Sequence, residues 1–219
     1  MNRIRSSVAT LAVLAITGLG IGATDALTTS AVAATITKSA ILEDPVAPKV
    51  APKGYDITIV QFADYNCGYC RRMHSVVAAL IASDPKIRLV YRDWPIFGPV
   101  SVEAARAAIA SQWQGKHEAL NAALYAGAGK LDSSAIRTAA NRAGVNWPRL
   151  QADLVKHKAE IDALLARTSE QAPAIGLQGT PAFIIGAYLA PGALDLATLR
   201  KAVAEARRHP NGWSRAYDE

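Results

Sequence analysis

Phe62-Ala63-Asp64-Tyr65-Asn66-Cys67-Gly68-Tyr69-Cys70 holds the two cysteines of this chain at the point where one kind of local structure gives way to another. Before it, Tyr55 to Phe62 carries Ile57, Thr58, Ile59, Val60 and Phe62, a β-branched and aromatic run that reads as a strand. After it, Met73, Val76, Val77, Leu80 and Ile81 recur at helical spacing, which predicts a helix from Cys67 to about Ala82. The strand therefore delivers Cys67 to the first turn of a helix, where unpaired N–H groups and the helix dipole favour a thiolate over a thiol. Cys70 follows one turn further in, on the same face. A thiolate beside a second thiol can attack a disulfide, form a mixed disulfide, and be released when the second sulfur attacks it.

Two other uses of the pair are weaker. As a structural staple it would close a loop worth only about 2 kcal/mol by the chain-entropy estimate. As half of a zinc site it lacks partners, since His74, His117, His157 and His209 contain no pair at zinc-finger spacing. A redox pair is the reading that the placement favours.

Outward from the motif, Lys86 to Tyr91 supplies Ile87, Leu89, Val90 and Tyr91 as a second strand. Two strands joined by a helix form a βαβ unit, so they should be parallel with a right-handed crossover. From Ser101 to about Gly176 the pattern is helical: an Ala-rich helix from Ser101 to Tyr125, a second from Ser133 to Ala143, a third capped by Asn146-Trp147-Pro148, and a fourth from Lys158 to Ile175 with Pro173 in its last turn. Then come the strand Pro181-Ala182-Phe183-Ile184-Ile185, a Gly186-Ala187 turn, a strand from Tyr188, and a final helix from near Asp195 that turns Leu196, Leu199 and Val203 inward.

At the N-terminus, Met1-Asn2-Arg3-Ile4-Arg5 precedes an apolar run from Val8 to Ala23 and the small residues Ser30-Ala31-Val32-Ala33-Ala34. That order reads as a secretory signal over residues 1–33, cut after Ala33, with an uncleaved anchor as the alternative. Residues 34–54 contain Pro45, Pro48 and Pro52, which argue against a helix and for an extended arm or edge strand. Export suits a chain with no cysteine outside the pair, because a spare thiol would mispair in an oxidising compartment. With 51% hydrophobic residues the core can hold the fold without disulfides. The formal charge of +6 is scattered apart from Arg71-Arg72 and Arg207-Arg208 and has no interleaved aromatics, which argues against a nucleic-acid surface.

The order βαβ, helical insertion, ββα resembles the DsbA-like thiol:disulfide oxidoreductases of the thioredoxin superfamily, in particular the exported Com1/ScsC-type proteins. The resemblance is carried by Phe62 to His74, by Tyr91-Arg92-Asp93-Trp94-Pro95, by Gln114-Gly115-Lys116, and by Gly176 to Gly186 with its Gly179-Thr180-Pro181. It implies an α/β thioredoxin-like fold with a βαβ half at 55–98, a helical insertion at 99–176 and a ββα half at 177–219. It also implies Cys67 as the exposed nucleophile, Cys70 as the partly buried resolving thiol, and a cis Thr180-Pro181 bond beside them that lets Thr180 hold a substrate strand. Gly68 would allow close approach of substrate and Tyr69 would form a wall or merely cover the helix. Asp64, Arg71 and His74 are candidate tuning residues: Asp64 accepts protons near Cys70 or caps the loop, Arg71 adds positive potential, and His74 shares the helical face of the thiols or simply lies half-exposed.

A helix N-terminus contributes up to about 2 kcal/mol, whereas taking a thiol from about 8.5 to about 3.5 needs about 7. A strong oxidant therefore needs a further cation, and the dipeptide here offers neutral Tyr69. Gly68-Tyr69 with Thr180 before the proline is similar to the DsbC-type isomerases, set in a DsbA-like scaffold. The expected function is an exported oxidoreductase without cofactor or resident metal, acting on unfolded or misoxidised proteins and recharged by a membrane redox partner. The short, proline-containing arm favours a monomer, and so oxidase or reductase over isomerase activity. The rivals are a Cu(I)-protection protein using the thiols with His74, and a non-catalytic polypeptide-binding module.

Overall fold

The computed structural model describes residues 37–127, 129–210 and 214–215, so the leader read at residues 1–33 lies outside them. Among the described residues six strands form one sheet in the order β1-β3-β2-β4-β5-β6: β1 (Lys49–Val50), β2 (Ile57–Ala63), β3 (Ile87–Asp93), β4 (Ala182–Ile185), β5 (Tyr188–Pro191) and β6 (Ser214–Arg215). β2 and β3 run parallel from Ile57 opposite Ile87 to Ala63 opposite Asp93. They are joined by α2 (Gly68–Ser83), which completes the βαβ unit. β4 pairs antiparallel with both β2 and β5.

Every residue of β2 is buried because both faces of the sheet are covered. Ile57, Ile59, Ile87, Leu89, Phe183 and Ile185 pack under α2 and α8 (Leu196–Arg208). Alternate residues, among them Val60, Phe62, Val90 and Ile184, face the helical insertion. The β4–β5 hairpin turns at Gly186, whose φ of +59 is one that L side chains rarely adopt. A Cβ there would sit 2.9 Å from Ala206 Cβ on α8, so the turn and the helix above it require glycine.

Two expectations are corrected. The helix read from Ser101 to Tyr125 is broken: α3 (Pro99–Ala110) passes into a 3-10 turn at Ser111–Gln114 and restarts as α4 (His117–Ala126). Gly115, at φ +65, makes the break, because a left-handed residue ends one helix and re-aims the next. The insertion continues through α5 (Ser133–Arg142), α6 (Trp147–Lys156) and α7 (Lys158–Ala174).

Residues 34–54 are not a plain extended arm either. All three prolines follow residue 44, which leaves room for one short helix, α1 (Lys38–Leu42), with Thr37 Oγ1 accepting from Ala40 N at 3.1 Å. Ile41 is fully buried, and β1 pairs antiparallel with β3 as an edge strand. Between them, buried Asp44 accepts from Arg92 on β3 and from Arg167 on α7. The arm is thus tied into the domain by this buried carboxylate, by Arg88 donating to Glu43 and to Leu42 O, and by Gln112 donating to Val46 O.

Candidate active site

The end of β2 and the start of α2 build the site around a tight turn. Asp64 Oδ1 accepts from Asn66 N at 2.7 Å and its Oδ2 from Phe97 N at 3.0 Å. One buried carboxylate thereby fixes the approach to α2 and holds the loop after β3 against it. This is the capping alternative for Asp64, and both of its oxygens are engaged by backbone N–H groups. Cys67 is the N-cap residue of α2: its N–H donates to Asp64 O at 3.1 Å, and its carbonyl accepts from Arg71 N at 3.1 Å.

Both cysteines are free thiols. Cys67 Sγ donates to Thr180 O at 3.3 Å, which brings the start of β4 against the start of α2 from 113 positions away. The Thr180-Pro181 peptide bond is cis. Cys67 is 5% exposed and Cys70 is not exposed at all, so the expectation of an openly exposed nucleophile is corrected. The Thr180 carbonyl lies against the Cys67 sulfur and covers it. Burial pushes the Cys70 thiol far above its ordinary range.

Beside Cys67, Gly68 and Tyr69 are exposed, and nothing lies within 4 Å of where a Gly68 Cβ would be. The Arg72 guanidinium covers the Tyr69 ring at 4.2 Å from its centroid, so Tyr69 stands as a braced rim. Exposed Ile96 and Phe97 extend the apolar rim from the loop that Asp64 holds. Arg71 is drawn away from the thiols: its guanidinium donates to the carbonyls of Gly127, in a short contact, and of Gly129 at 3.2 Å, tying α2 to the loop after α4. His74 is half-buried beside the Tyr125 ring, at 5.4 Å between centroids, and burial holds its imidazole below the usual range. Among the described residues no group of three His, Cys, Asp or Glu side chains is placed to hold a metal ion, so His74 does not complete a site with the two thiols.

The structure also gathers groups that spacing alone did not single out. Tyr65, Asp93, Asn121 and Tyr125 are buried behind the cysteines. Asn121 Nδ2 donates to Tyr65 OH at 3.0 Å, and the Tyr65 and Tyr125 rings lie 5.0 Å apart. Asp93 ends β3 opposite Ala63 of β2, so the parallel register carries it to the level of the active-site turn. Its place within Tyr91-Arg92-Asp93-Trp94-Pro95 was the one signal in the sequence, and that stretch carried no role for it.

Residues 58–204 match the DSBA-like thioredoxin domain model. A thioredoxin-like oxidoreductase from Silicibacter pomeroyi DSS-3 is 39% identical with a TM-score of 0.75, over 79% of this chain and 99% of that one. The thiol-disulfide exchange protein alpha-DsbA2 from Wolbachia pipientis is 27% identical, with a TM-score of 0.72 over 76% and 90%. The catalytic domain of Proteus mirabilis ScsC is 26% identical, with a TM-score of 0.69 over 78% and 94%. A sequence relative, the Na(+)/H(+) antiporter NhaA 3 of Salinispora tropica, is 26% identical over 167 residues, which is 74% of this chain and 25% of that protein. The chain spans about a quarter of the length of the curated relatives it matches.

Proposed function

The chain belongs to the DSBA-like thioredoxin domain family, and from that premise we propose that it is a thiol-disulfide oxidoreductase acting on exported proteins through Cys67-Gly68-Tyr69-Cys70. The observation that carries this is the asymmetry of the pair. Cys67, the N-cap residue of α2, keeps 5% of its surface exposed, while Cys70 keeps none. Cys67 is the attacking sulfur. Its electron pair forms a bond to one sulfur of a substrate disulfide and the other sulfur leaves as a thiolate; Cys70 then displaces the substrate from Cys67. Run in reverse, the Cys67–Cys70 disulfide accepts two electrons from a substrate dithiol.

Thr180 beside Cys67 aligns an extended polypeptide, a reading supported by its carbonyl lying against the Cys67 sulfur, and the exposed Tyr69, Ile96 and Phe97 give apolar contact to an unfolded client. Clients are unfolded or misoxidised exported proteins, the site works without a cofactor, and a membrane redox partner resets it. The leader at residues 1–33 directs export, and among the described residues no helix is long and apolar enough to cross a membrane. A monomer presents one pair at a time, which favours oxidation or reduction over reshuffling; the arm supports this, being folded onto its own domain.

The test is insulin reduction and oxidation of a dithiol peptide by the two single-serine variants. Cys67→Ser abolishes both activities, and Cys70→Ser accumulates a mixed disulfide visible by mass spectrometry. Near wild-type exchange by Cys67→Ser would overturn the assignment, and a wild-type chain that binds unfolded protein without exchange would favour the binding module. Light scattering that shows a stable dimer or trimer, together with efficient refolding of scrambled ribonuclease, would reverse the choice against isomerase.

A further inference from the structure

A cavity of about 330 Å³ opens between the sheet and the facing walls of α2 and α4, and none of Cys67, Cys70, Thr180 and Pro181 lines it. That volume is at the lower end of the range for small-molecule sites. Gln61 on β2 and Tyr91 on β3, partners in the parallel register, belong to the lining. Val77 and Ile81 from α2, Leu89 from β3 and Val50 from β1 make its apolar part. Ala78 on α2 and Glu118 on α4 are exposed, which places the mouth between the two helices.

Two features give this cavity the character of a ligand site. The first is Gln61, which is 5% exposed and faces the cavity, yet whose side-chain amide makes no hydrogen bond among the described residues. The other buried side-chain amides are engaged: Asn121 Nδ2 donates to Tyr65 OH at 3.0 Å, and Gln171 Oε1 accepts from Arg92 in a short contact. A buried amide left without a partner costs stability, and a ligand in the cavity would satisfy this one.

The second feature is charge. No Lys or Arg lines the cavity among the described residues, and Glu118, in the first turn of α4, supplies a carboxylate. His74 is also in the lining, but burial holds its imidazole below the usual range, so it adds no positive charge at neutral pH. Burial first, and the Glu118 charge second, push the Tyr91 hydroxyl upward, so it remains a phenol and adds no second negative charge.

We infer that this cavity binds a small amine: an ammonium group on an apolar body the size of a bicyclic ring, with a second hydrogen-bonding group on the ring. The ammonium sits at the mouth and donates to the Glu118 carboxylate. The ring fills the space beside Val77, Ile81 and Leu89, and its polar edge meets the Gln61 amide. An anion of the same shape is rejected, because Glu118 repels it and no cation in the lining offsets the repulsion. The site is separate from the thiol chemistry proposed above and takes no part in it.

The experiment is titration of the whole reduced protein with tryptamine at low ionic strength, followed by calorimetry and by 15N NMR of the Gln61 side-chain amide. Tryptamine binds saturably with a Kd of about 0.1–1 mM and moves the Gln61 side-chain signals. Tryptophol, which carries a neutral hydroxyl on the same ring, binds at least about threefold more weakly, and indole-3-acetate more weakly still. Glu118→Gln, an exposed change, removes the preference for the amine over the alcohol. Ala78→Phe closes the mouth and abolishes binding of both; should that variant not fold, the Gln61 signals of the native chain report occupancy by themselves.

The inference is overturned by an absence of saturable tryptamine binding, by binding that leaves the Gln61 signals in place, by a Glu118→Gln affinity equal to the native one, or by indole-3-acetate binding as tightly as tryptamine.

Discussion

Removing the Asp44 carboxylate should cost more stability than any surface ion pair in this protein, and the structure sets the scale. Asp44 Oδ2 accepts from Arg92 Nη1 at 3.0 Å and from Arg167 Nε at 2.8 Å, while Oδ1 accepts from Arg167 Nη2 at 3.0 Å and from Val46 N at 3.0 Å. The side chains of Asp44 and Arg92 are 1% and 0% exposed. In Asp44→Ala, Arg92 keeps its full charge with only Gln171 Oε1 as a side-chain partner. Leaving a buried charge without its counter-ion costs about 3–5 kcal/mol, which in a domain of this size lowers Tm by about 6–20 °C.

The sign with pH follows from the site. Burial by itself raises the Asp44 carboxyl, but the hydrogen bonds from Arg167 and Val46 and the charge of Arg92 outweigh it and hold the group below its ordinary value. A carboxyl depressed in the folded state contributes stability that is full above the unfolded value, near 4, and is lost as pH falls through the folded one. The gap between wild type and Asp44→Ala is therefore widest near neutrality and narrows on acidification below about pH 4. Urea unfolding of both proteins from pH 7 to pH 3 measures it, and Asp44→Ala/Arg92→Met should recover much of the loss. A loss below about 1 kcal/mol at pH 7, or a double variant no better than the single, would refute the argument.

Two further outcomes are expected from the fold itself. Gly186→Ala should destabilise by about 1–3 kcal/mol in urea titration, since it combines an unfavourable φ with a 2.9 Å approach to Ala206; a change under about 0.5 kcal/mol would show that the hairpin shifts freely. His117 is buried against the Tyr91 ring, and burial pushes its imidazole down to about 3. The unfolded chain therefore takes up a proton that the folded one refuses, so stability falls from about pH 6.5 downward toward pH 3, by up to about 1.4 kcal/mol per pH unit; His117→Phe should flatten that slope between pH 6.5 and 5, and an unaltered slope would contradict the burial.

What could be read along the chain was whatever short-range spacing encodes. A β-branched run closing on Cys67 and apolar residues at helical intervals after Cys70 specify a strand, a turn and a helix without reference to anything distant. Asn146 accepting from Arg149 N and the Gly186-Ala187 turn are equally local, and their chemistry is visible in a few adjacent residues. The break at Gly115 was hidden because the apolar pattern continues through it, and only a backbone turned to positive φ divides α3 from α4. The arm misled for a related reason: prolines forbid a helix where they stand but say nothing of Lys38–Leu42 before them, nor that Asp44 meets two arginines from β3 and α7. The site divides along the same line. That Cys67 and Cys70 share a helix end is a property of their spacing, whereas Thr180 O against Cys67, Arg71 turned to the Gly127 carbonyl, and Asp93 beside Tyr65 join residues from separate elements. Such pairings depend on strand register and on how helices dock over the sheet, quantities set by the summed burial of the whole core, and no short window of residues contains them.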